Sequence, residues 1–319
     1  MLIIGCGHHT SEQSVHHPFS ELAVPVCRAS RPAIEQGRST LERHACWRAG
    51  GPNDRSVSAT CRIDSIGEIH CLTDQLGATP PGSFEFVDDN GTDACAVREQ
   101  RGVSCWSSLK LDWSQAPSDL HFRTVSVGKG VSPMGPHPAW PYARSYACGV
   151  ADGNSLICWE QGKDGRVVKF PDSYVEAAAG GGRLCAITLA QRLRCWRGGT
   201  LINLALEPDP ELPGPFKHVD VGPNSVCTID GEGQGSCWTT TDGTESLFKL
   251  GAVTSVKAGA DHVCSLHNNG EIECVGEARP APRIRLRYLS RPSVFGNYCG
   301  ITQDGISYCW GDPSSHPMP

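Results

Sequence analysis

Fourteen of the chain's 17 cysteines fall into seven pairs of one spacing. They are Cys61/Cys71, Cys95/Cys105, Cys148/Cys158, Cys185/Cys195, Cys227/Cys237, Cys264/Cys274 and Cys299/Cys309, each ten residues apart. Two chemistries use cysteines in pairs: thiolate ligation of a metal and oxidation to a disulfide. Zinc sites draw ligands from pairs two to four residues apart, and no Cys-x-x-Cys occurs anywhere in the chain. The spacing therefore predicts disulfides, each closing an 11-residue ring worth on the order of 2.5–3 kcal/mol. Such bonds persist only in an oxidising compartment.

The elements that must position these pairs can be read from the residues between them. In Cys264-Ser-Leu-His-Asn-Asn-Gly-Glu-Ile-Glu-Cys274, two short alternating runs flank Asn268, Asn269 and Gly270. If Cys264 faces Cys274, those three form a loop whose third position is left-handed, where glycine meets no steric penalty. Gly67, Gly233, Gly270 and Gly305 hold that position; Gly102 and Gly153 miss it by one, and the Cys185 hairpin has no glycine. Opposed strand residues lie about 4.5–5.5 Å apart at Cα, within the roughly 4.4–6.8 Å a disulfide accepts. A Trp follows the second cysteine at Trp47, Trp106, Trp159, Trp196, Trp238 and Trp310, with Leu72 and Val275 elsewhere. Strand neighbours face opposite sides, so these Trp are read as packing between sheets on the face away from the cystine.

Upstream of the first cysteine a small-residue run ends in glycine, as in Ala177-Ala-Ala179-Gly180, Val219-Asp-Val221-Gly222 and Val256-Lys-Ala258-Gly259. Each unit reads as strand, Gly turn, strand, tight turn, strand and a variable connector. Successive second cysteines lie 34, 53, 37, 42, 37 and 35 residues apart. The long interval has a cause: Gly128 lies 20 residues before Cys148 instead of five, an insertion of 15. Units of this length stack radially as the blades of a propeller or, less often, linearly as a solenoid, and seven copies favour the ring. The prediction is all-β: a seven-bladed β-propeller over 41–319 with one disulfide-clipped hairpin per blade.

These residues resemble the regulator-of-chromosome-condensation repeat, which also builds the secreted beta-lactamase inhibitory protein II. That unit runs V-x-V/A-G-x-x-H-x-C/A-x-L-x-x-D-G-x-V-x-C/W-W-G. Val256 to Cys264 with His262, and Cys299 to Trp310-Gly311 with Asp304-Gly305, match it best. The resemblance covers roughly 55–311, and its cysteine-clipped form is similar to exported bacterial proteins. The chain departs at the His position, where Arg183, Ser225 and Asn297 stand in other units. Functions that depend on those histidines are not implied.

Formal net charge is −6 and the sequence pI about 6.0. With no long basic run, nucleic acid is not the expected partner. The densest basic stretch, Arg279, Arg283, Arg285, Arg287 and Arg291, reads as a solvated connector. Residues 1–6 are too short for an export signal, yet Leu2-Ile-Ile-Gly-Cys6 resembles a bacterial lipobox with Cys6 as the lipid acceptor. They read as the remnant of a signal starting upstream; the alternative is a stray cysteine after a chance apolar run. Residues 7–40 read as a polar tether, its His8-His9 and His16-His17 as exposed tail residues rather than metal ligands. Cys27 and Cys46 are expected to pair in a degenerate hairpin whose segment completes the C-terminal blade and closes the ring. No apolar run approaches the 18 residues of a membrane-spanning helix.

No Gly-x-Ser-x-Gly, His-Glu-x-x-His or P-loop occurs, so no catalytic, cofactor-binding or metal-binding residue is nominated. The 15-residue insertion carries the expected partner contacts, Trp140 and Tyr142, among prolines that limit the entropy lost on binding. The sequence is thus read as a monomeric, non-enzymatic module for an unknown protein partner, secreted or held at the cell envelope. The competing reading is a secreted propeller enzyme, hydrolase or lyase, or a lectin, with its site at the central channel.

Overall fold

The computed structural model of the chain describes residues 45–48, 56–58, 61–71, 79–107, 120–129, 145–162, 166–197, 209–241, 244–259, 262–276, 281–292 and 298–311. Every regular element among them is a β-strand. After β1 (Ala45–Arg48), the first sheet holds β2 (Ser56–Val57), β3 (Cys61–Ile63) and β4 (Ile69–Cys71). The second holds β5 (Phe84–Asp89), β6 (Asp93–Arg98) and β7 (Val103–Ser107). The third has four strands, β8 (Phe122–Lys129), β9 (Ser145–Ala151), β10 (Leu156–Glu160) and β11 (Val167–Lys169). The fourth is β12 (Tyr174–Gly180), β13 (Arg183–Thr188) and β14 (Leu193–Arg197).

Next come β15 (Phe216–Val221), β16 (Ser225–Asp230), β17 (Gln234–Thr241), β18 (Thr244–Ala258), β19 (His262–His267) and β20 (Ile272–Gly276), hydrogen-bonded in one run. The long β18 joins two hairpin units: its first part pairs with β17, and Val253–Ala258 pairs with β19. The last sheet is β21 (Leu286–Leu289), β22 (Tyr298–Thr302) and β23 (Ser307–Gly311), with β1 added outside β23. The N-terminal segment thus does complete the C-terminal sheet, through one strand in register Ala45↔Gly311 to Arg48↔Tyr308. Cys6, Cys27 and the tether lie outside the described residues, as does the side chain of Cys46.

All seven ten-residue pairs are disulfides: Cys61–Cys71, Cys95–Cys105, Cys148–Cys158, Cys185–Cys195, Cys227–Cys237, Cys264–Cys274 and Cys299–Cys309. One expectation is corrected at every pair. The Cα atoms lie 4.0–4.1 Å apart, closer than the sequence reading allowed. The register accounts for the short end of the expected range, about 4.5 Å, and the clip draws the strands closer still. Arg98 N–H donates to Gly102 O at 2.8 Å, so alternate pairs inward are hydrogen-bonded and Cys95/Cys105 takes the intervening, closer kind of site.

Burial of the second cysteine, as at Cys309, depends on the place of its strand in the sheet. The Cys309 Cα lies 4.0 Å from that of Cys299, and Cys309 is fully buried, whereas the second cysteines Cys71, Cys105, Cys195 and Cys274 keep some exposure. Those four lie on the last strand of their hairpin units, but β23 is an inner strand, with β1 beside it and Trp47 in register with Cys309. The added N-terminal strand is what shields this bridge.

The turn geometry is more uniform than the glycines implied. Gly67, Gly233, Gly270 and Gly305 have φ of 92, 84, 83 and 82°. The three hairpins without glycine there have the same hand, with Arg101 at 64°, Asn154 at 65° and Gln191 at 59°. Register and disulfide impose the turn, and the side chain complies. Non-glycine residues are penalised by roughly 1–2 kcal/mol in this region, and glycine's larger unfolded-state entropy takes back part of any relief. Arg101→Gly with Gln191→Gly is therefore expected to raise stability by about 0.5–1 kcal/mol per site. Chemical denaturation measures this, and an unmoved or lowered midpoint counts against it.

Sheets pack in chain order around their first strands: β5 on β8, β8 on β12, β12 on β15, β15 on β18 and β18 on β21. β2 touches both β5 and β22, which brings the last sheet beside the first. Between successive sheets lie six apolar cores of one pattern, the cystine of one sheet against the residue after the second cysteine of the next. Cys61–Cys71 meets Trp106, Cys95–Cys105 meets Trp159, and Cys148–Cys158 meets Trp196. Cys185–Cys195 meets Trp238, Cys227–Cys237 meets Val275, and Cys264–Cys274 meets Trp310. Aromatic neighbours orient the indoles, as with Phe170 on Trp196 at 4.8 Å and Tyr298 on Trp310 at 5.7 Å. Trp106, Trp159, Trp196, Trp238 and Trp310 are packing residues, as the alternation predicted.

Candidate functional site

The first strands end in small residues because their neighbours approach at backbone distance. A Cβ on Gly180 would lie 2.2 Å from Val221 O, and one on Gly222 would lie 2.4 Å from Gly259 O and 2.6 Å from Ala258 O. Each obstacle is backbone of the next sheet, which no rotamer change can clear. Gly222→Ala is expected to destabilise by about 1–3 kcal/mol, in the manner of an overpacked core. A thermal midpoint equal to wild type would disprove the close approach.

Polar residues two before these glycine positions tie one sheet to the next. Asp88 Oδ2 accepts from Val127 N–H at 2.8 Å, Ser126 Oγ from Ala179 N–H at 3.0 Å, and Asp220 Oδ2 from Ala258 N–H at 2.7 Å. Ala178 and Lys257 hold the same repeat position and have no side-chain acceptor. Arg291, just beyond β21, reaches across to the sheets of all four partners. Its guanidinium donates to Asp220 Oδ1 at 2.7 and 3.2 Å, to Ala179 O at 2.8 Å and to Ser126 Oγ at 3.3 Å. Asp88 Oδ2 lies 3.6 Å away. A side chain bound to the first strands of four successive sheets sits where those strands converge, at the centre. The solvated-connector reading is corrected at one residue: Arg283, Arg285 and Arg287 are exposed, whereas the Arg291 side chain is only 12% exposed, and Arg279 lies outside the described residues.

Burial works against both carboxyls, and Arg291 decides between them. Burial raises Asp88 above the usual carboxylate range despite Arg291 and the Val127 N–H. For Asp220 the same burial is outweighed by the charges of Arg291 and Lys257 and by direct hydrogen bonds, and its carboxyl is held low. Burial also raises the Tyr288 phenol beside this cluster. The arrangement is a paired ion cluster with each carboxylate already engaged, rather than a poised acid and base.

On the face from which the insertion leaves, a second buried polar group fixes the root of that loop. Ser145 Oγ donates to Asp93 Oδ2 at 2.6 Å, Gln161 Nε2 to Asp93 Oδ1 at 2.6 Å, and Asn90 Nδ2 to Ser145 Oγ at 3.2 Å. Across the root, Gly182 N–H donates to Lys129 O at 2.9 Å. Residues 130–144, with the predicted contacts Trp140 and Tyr142, lie outside the described residues. On the opposite rim, Asp64, Glu68 and His70 cluster on one hairpin. Asp64 Oδ1 there accepts from the Ile66 and Glu68 N–H groups, and its Oδ2 lies 2.8 Å from His70 Nε2. The same aspartate cap recurs at Asp230, which accepts from the Glu232 and Gln234 N–H groups. The cluster is turn chemistry.

The closing contact of β2 on β22, together with this convergence of first strands, can be set beside known proteins. The ectodomain of the Physcomitrella patens receptor kinase CR4 superposes over 81% of this chain and 72% of its own, with TM-score 0.60 and 19% identity. The CRINKLY WD40 ectodomain of the Arabidopsis thaliana receptor kinase ACR4 covers 81% and 97%, with TM-score 0.57 and 17% identity. The fold is a β-propeller. Prp20p of Saccharomyces cerevisiae, a protein characterised for its binding to Gsp1p and histones, superposes with TM-score 0.56 over 84% of this propeller and 80% of its own chain, at 12% identity. At these identities the likeness speaks for fold alone. No family model matches the sequence. The Arabidopsis thaliana serine/threonine-protein kinase-like protein CCR2 is 28% identical over 182 residues, half of this propeller chain and a fifth of its own length.

The sequence reading missed Asp88, Ser126, Asp220 and Arg291. One signal was present: Asp220 stands between Val219 and Val221, a charge within one of the small-residue runs that end in glycine. A charge at such a position needs a buried partner.

Proposed function

We propose that the propeller has seven blades, one per clipped hairpin, and acts outside the cytoplasm as a non-enzymatic protein-binding module. Its disulfides require an oxidising compartment, and two of the propellers it is similar to are receptor-kinase ectodomains. Attachment to the envelope through lipid on Cys6, and a bacterial source, belong to the same reading. The observation that carries it is Arg291. An enzyme or lectin of this fold would use the central channel, and here that place holds a guanidinium bonded to Asp220, Ala179 and Ser126. Binding then falls to the loops of the rims, where propellers of rigid frame carry variable contacts. The insertion loop, with Trp140 and Tyr142, is the preferred contact.

The test is crosslinking and capture from the native envelope by the full chain, beside a Trp140→Ala/Tyr142→Ala variant. A partner captured by wild type and lost in the variant supports the reading. Equal capture by both discards the loop as the contact. Saturable binding of the wild-type chain to a glycan array would favour the lectin alternative.

A further inference from the structure

The fourth strand of the fourth sheet is replaced by a short acidic strap, and the way it is held differs from its counterparts. In the third sheet β11 pairs regularly with β10 through Trp159↔Val167 to Ile157↔Lys169. Phe170 follows that strand directly; its N–H donates to Leu156 O at 3.0 Å and the residue is 3% exposed. In the fourth sheet the equivalent bond runs from Leu212 N–H to Leu193 O at 2.9 Å, but Leu212 is 42% exposed. Residues 213–215 after it are exposed as well. The strap adds two more backbone bonds, Leu193 N–H to Leu212 O at 3.1 Å and Asp209 N–H to Cys195 O at 2.7 Å. It forms a single bridge instead of a ladder.

Charge holds it instead. Arg194 Nε donates to Glu211 Oε2 at 2.8 Å, Arg192 to Glu211 Oε1 at 3.2 Å, and Arg197 Nε to Asp209 Oδ2 at 2.9 Å. Arg194 also binds Asp172. The hydrogen bond to Arg194 holds the Glu211 carboxyl below its ordinary range. Three arginines thus line the outer edge of β14, and the chain's own Asp209-Pro-Glu-Leu212 lies along it as an extended acidic peptide would. Exposed ion pairs of this kind are weak and salt-screened, and no strap side chain is buried among the core residues.

We propose that the outer edge of β14 is a docking site for an extended acidic segment of a protein partner, occupied in cis by residues 209–212. The incoming peptide adds as a strand to the sheet edge, its backbone replacing the strap's three bonds and its carboxylates replacing Asp209 and Glu211 at the arginines. The ligand class follows from the strap itself: two carboxylates two residues apart on an extended backbone. The site rests on the protein-binding reading and gives it a second contact, away from the insertion loop.

A fluorescently labelled synthetic peptide carrying Asp-Pro-Glu-Leu tests this by anisotropy on the oxidised full chain. Removing the competing strap charges in Asp209→Ala/Glu211→Ala is expected to tighten binding by about tenfold, since the peptide then competes only with the strap's three backbone bonds. Added salt should weaken it, and the amide peptide Asn-Pro-Gln-Leu should not bind. Arg194→Gln in the strap variant should abolish binding, with circular dichroism confirming that the fold is kept. No saturable binding to Asp209→Ala/Glu211→Ala, or binding indifferent to Arg194→Gln, overturns the site. Should the strap variant misfold, wild type at acid-neutral pH with excess peptide keeps the test open, because displacement must then depend on peptide charge. Peptide failure with partner capture intact defeats only this site; peptide binding with no captured partner defeats the broader reading.

Discussion

Full reduction of the seven disulfides is expected to unfold the propeller under conditions where the oxidised chain is stable. Each clip closes an 11-residue ring worth on the order of 2.5–3 kcal/mol through its constraint on the unfolded chain. Seven together exceed the roughly 5–15 kcal/mol of net stability typical of a domain. The apolar cores would not make up the difference, because each is a thin layer between two sheets of short strands. Loss of the single Cys185–Cys195 bridge as a double alanine variant should lower stability by about 2–3 kcal/mol and leave the fold in place. Access grades the reduction. Cys148–Cys158, Cys227–Cys237 and Cys299–Cys309 are buried at both ends, while Cys71, Cys105, Cys195 and Cys274 keep some exposure. A thiol reagent attacks the accessible sulfur, so timed alkylation and mass analysis should find those three buried bridges among the last to open. Cys299–Cys309 should join the early group once the shielding strand at Ala45–Arg48 is deleted. A reduced, alkylated chain with the oxidised chain's near-ultraviolet dichroism and midpoint would refute the expectation.

The parts of this architecture that repeat were legible, since a repeat lets one copy check another. Cysteine spacing fixed hairpin register, and the Trp after each second cysteine pointed to the opposite face; both follow from the two-residue period of a strand. Glycine was a poorer guide. Arg101, Asn154 and Gln191 adopt the left-handed turn without it, because the register of a clipped hairpin leaves no other way to close. The segment around Cys46 was expected to complete the C-terminal blade, and β1 takes that place on β23. The centre was not legible. Arg291 closes a run of arginines whose other described members keep solvent exposure, and only the ring of sheets puts it beside Asp220, 71 positions away in sequence. The strap at Asp209–Leu212 was hidden likewise, since its meaning lies in which strand edge the connector crosses.

Arg291→Met is expected to destabilise the propeller by about 3–5 kcal/mol, the scale for removing one partner of a buried ion pair. Arg291 is the cation that lies against both buried carboxyls, at 2.7 Å from Asp220 and 3.6 Å from Asp88. Without it Asp220 would face burial with only Lys257 and the Ala258 N–H to hold its charge, and Asp88 would keep only the Val127 N–H. Both carboxyls should then bind protons more readily in the folded state than in the unfolded chain. The pH dependence follows from the direction of each change. In wild type the depressed Asp220 contributes stability that is present above its unfolded value of 3.8 and lost as pH falls through its lower folded value. In the variant both folded values are raised, so the native state gains on acidification and loses stability as pH rises through them. The difference between wild type and variant should therefore be greatest near neutrality and shrink toward pH 4. Asp88→Asn/Asp220→Asn/Arg291→Met should recover much of the loss, because asparagine can still accept from the Val127 and Ala258 N–H groups while no buried charge remains. Denaturation at several pH values measures all three proteins. A constant difference across pH would show that Arg291 acts by packing alone, and a triple variant no better than Arg291→Met would show that the carboxylates are not what it balances.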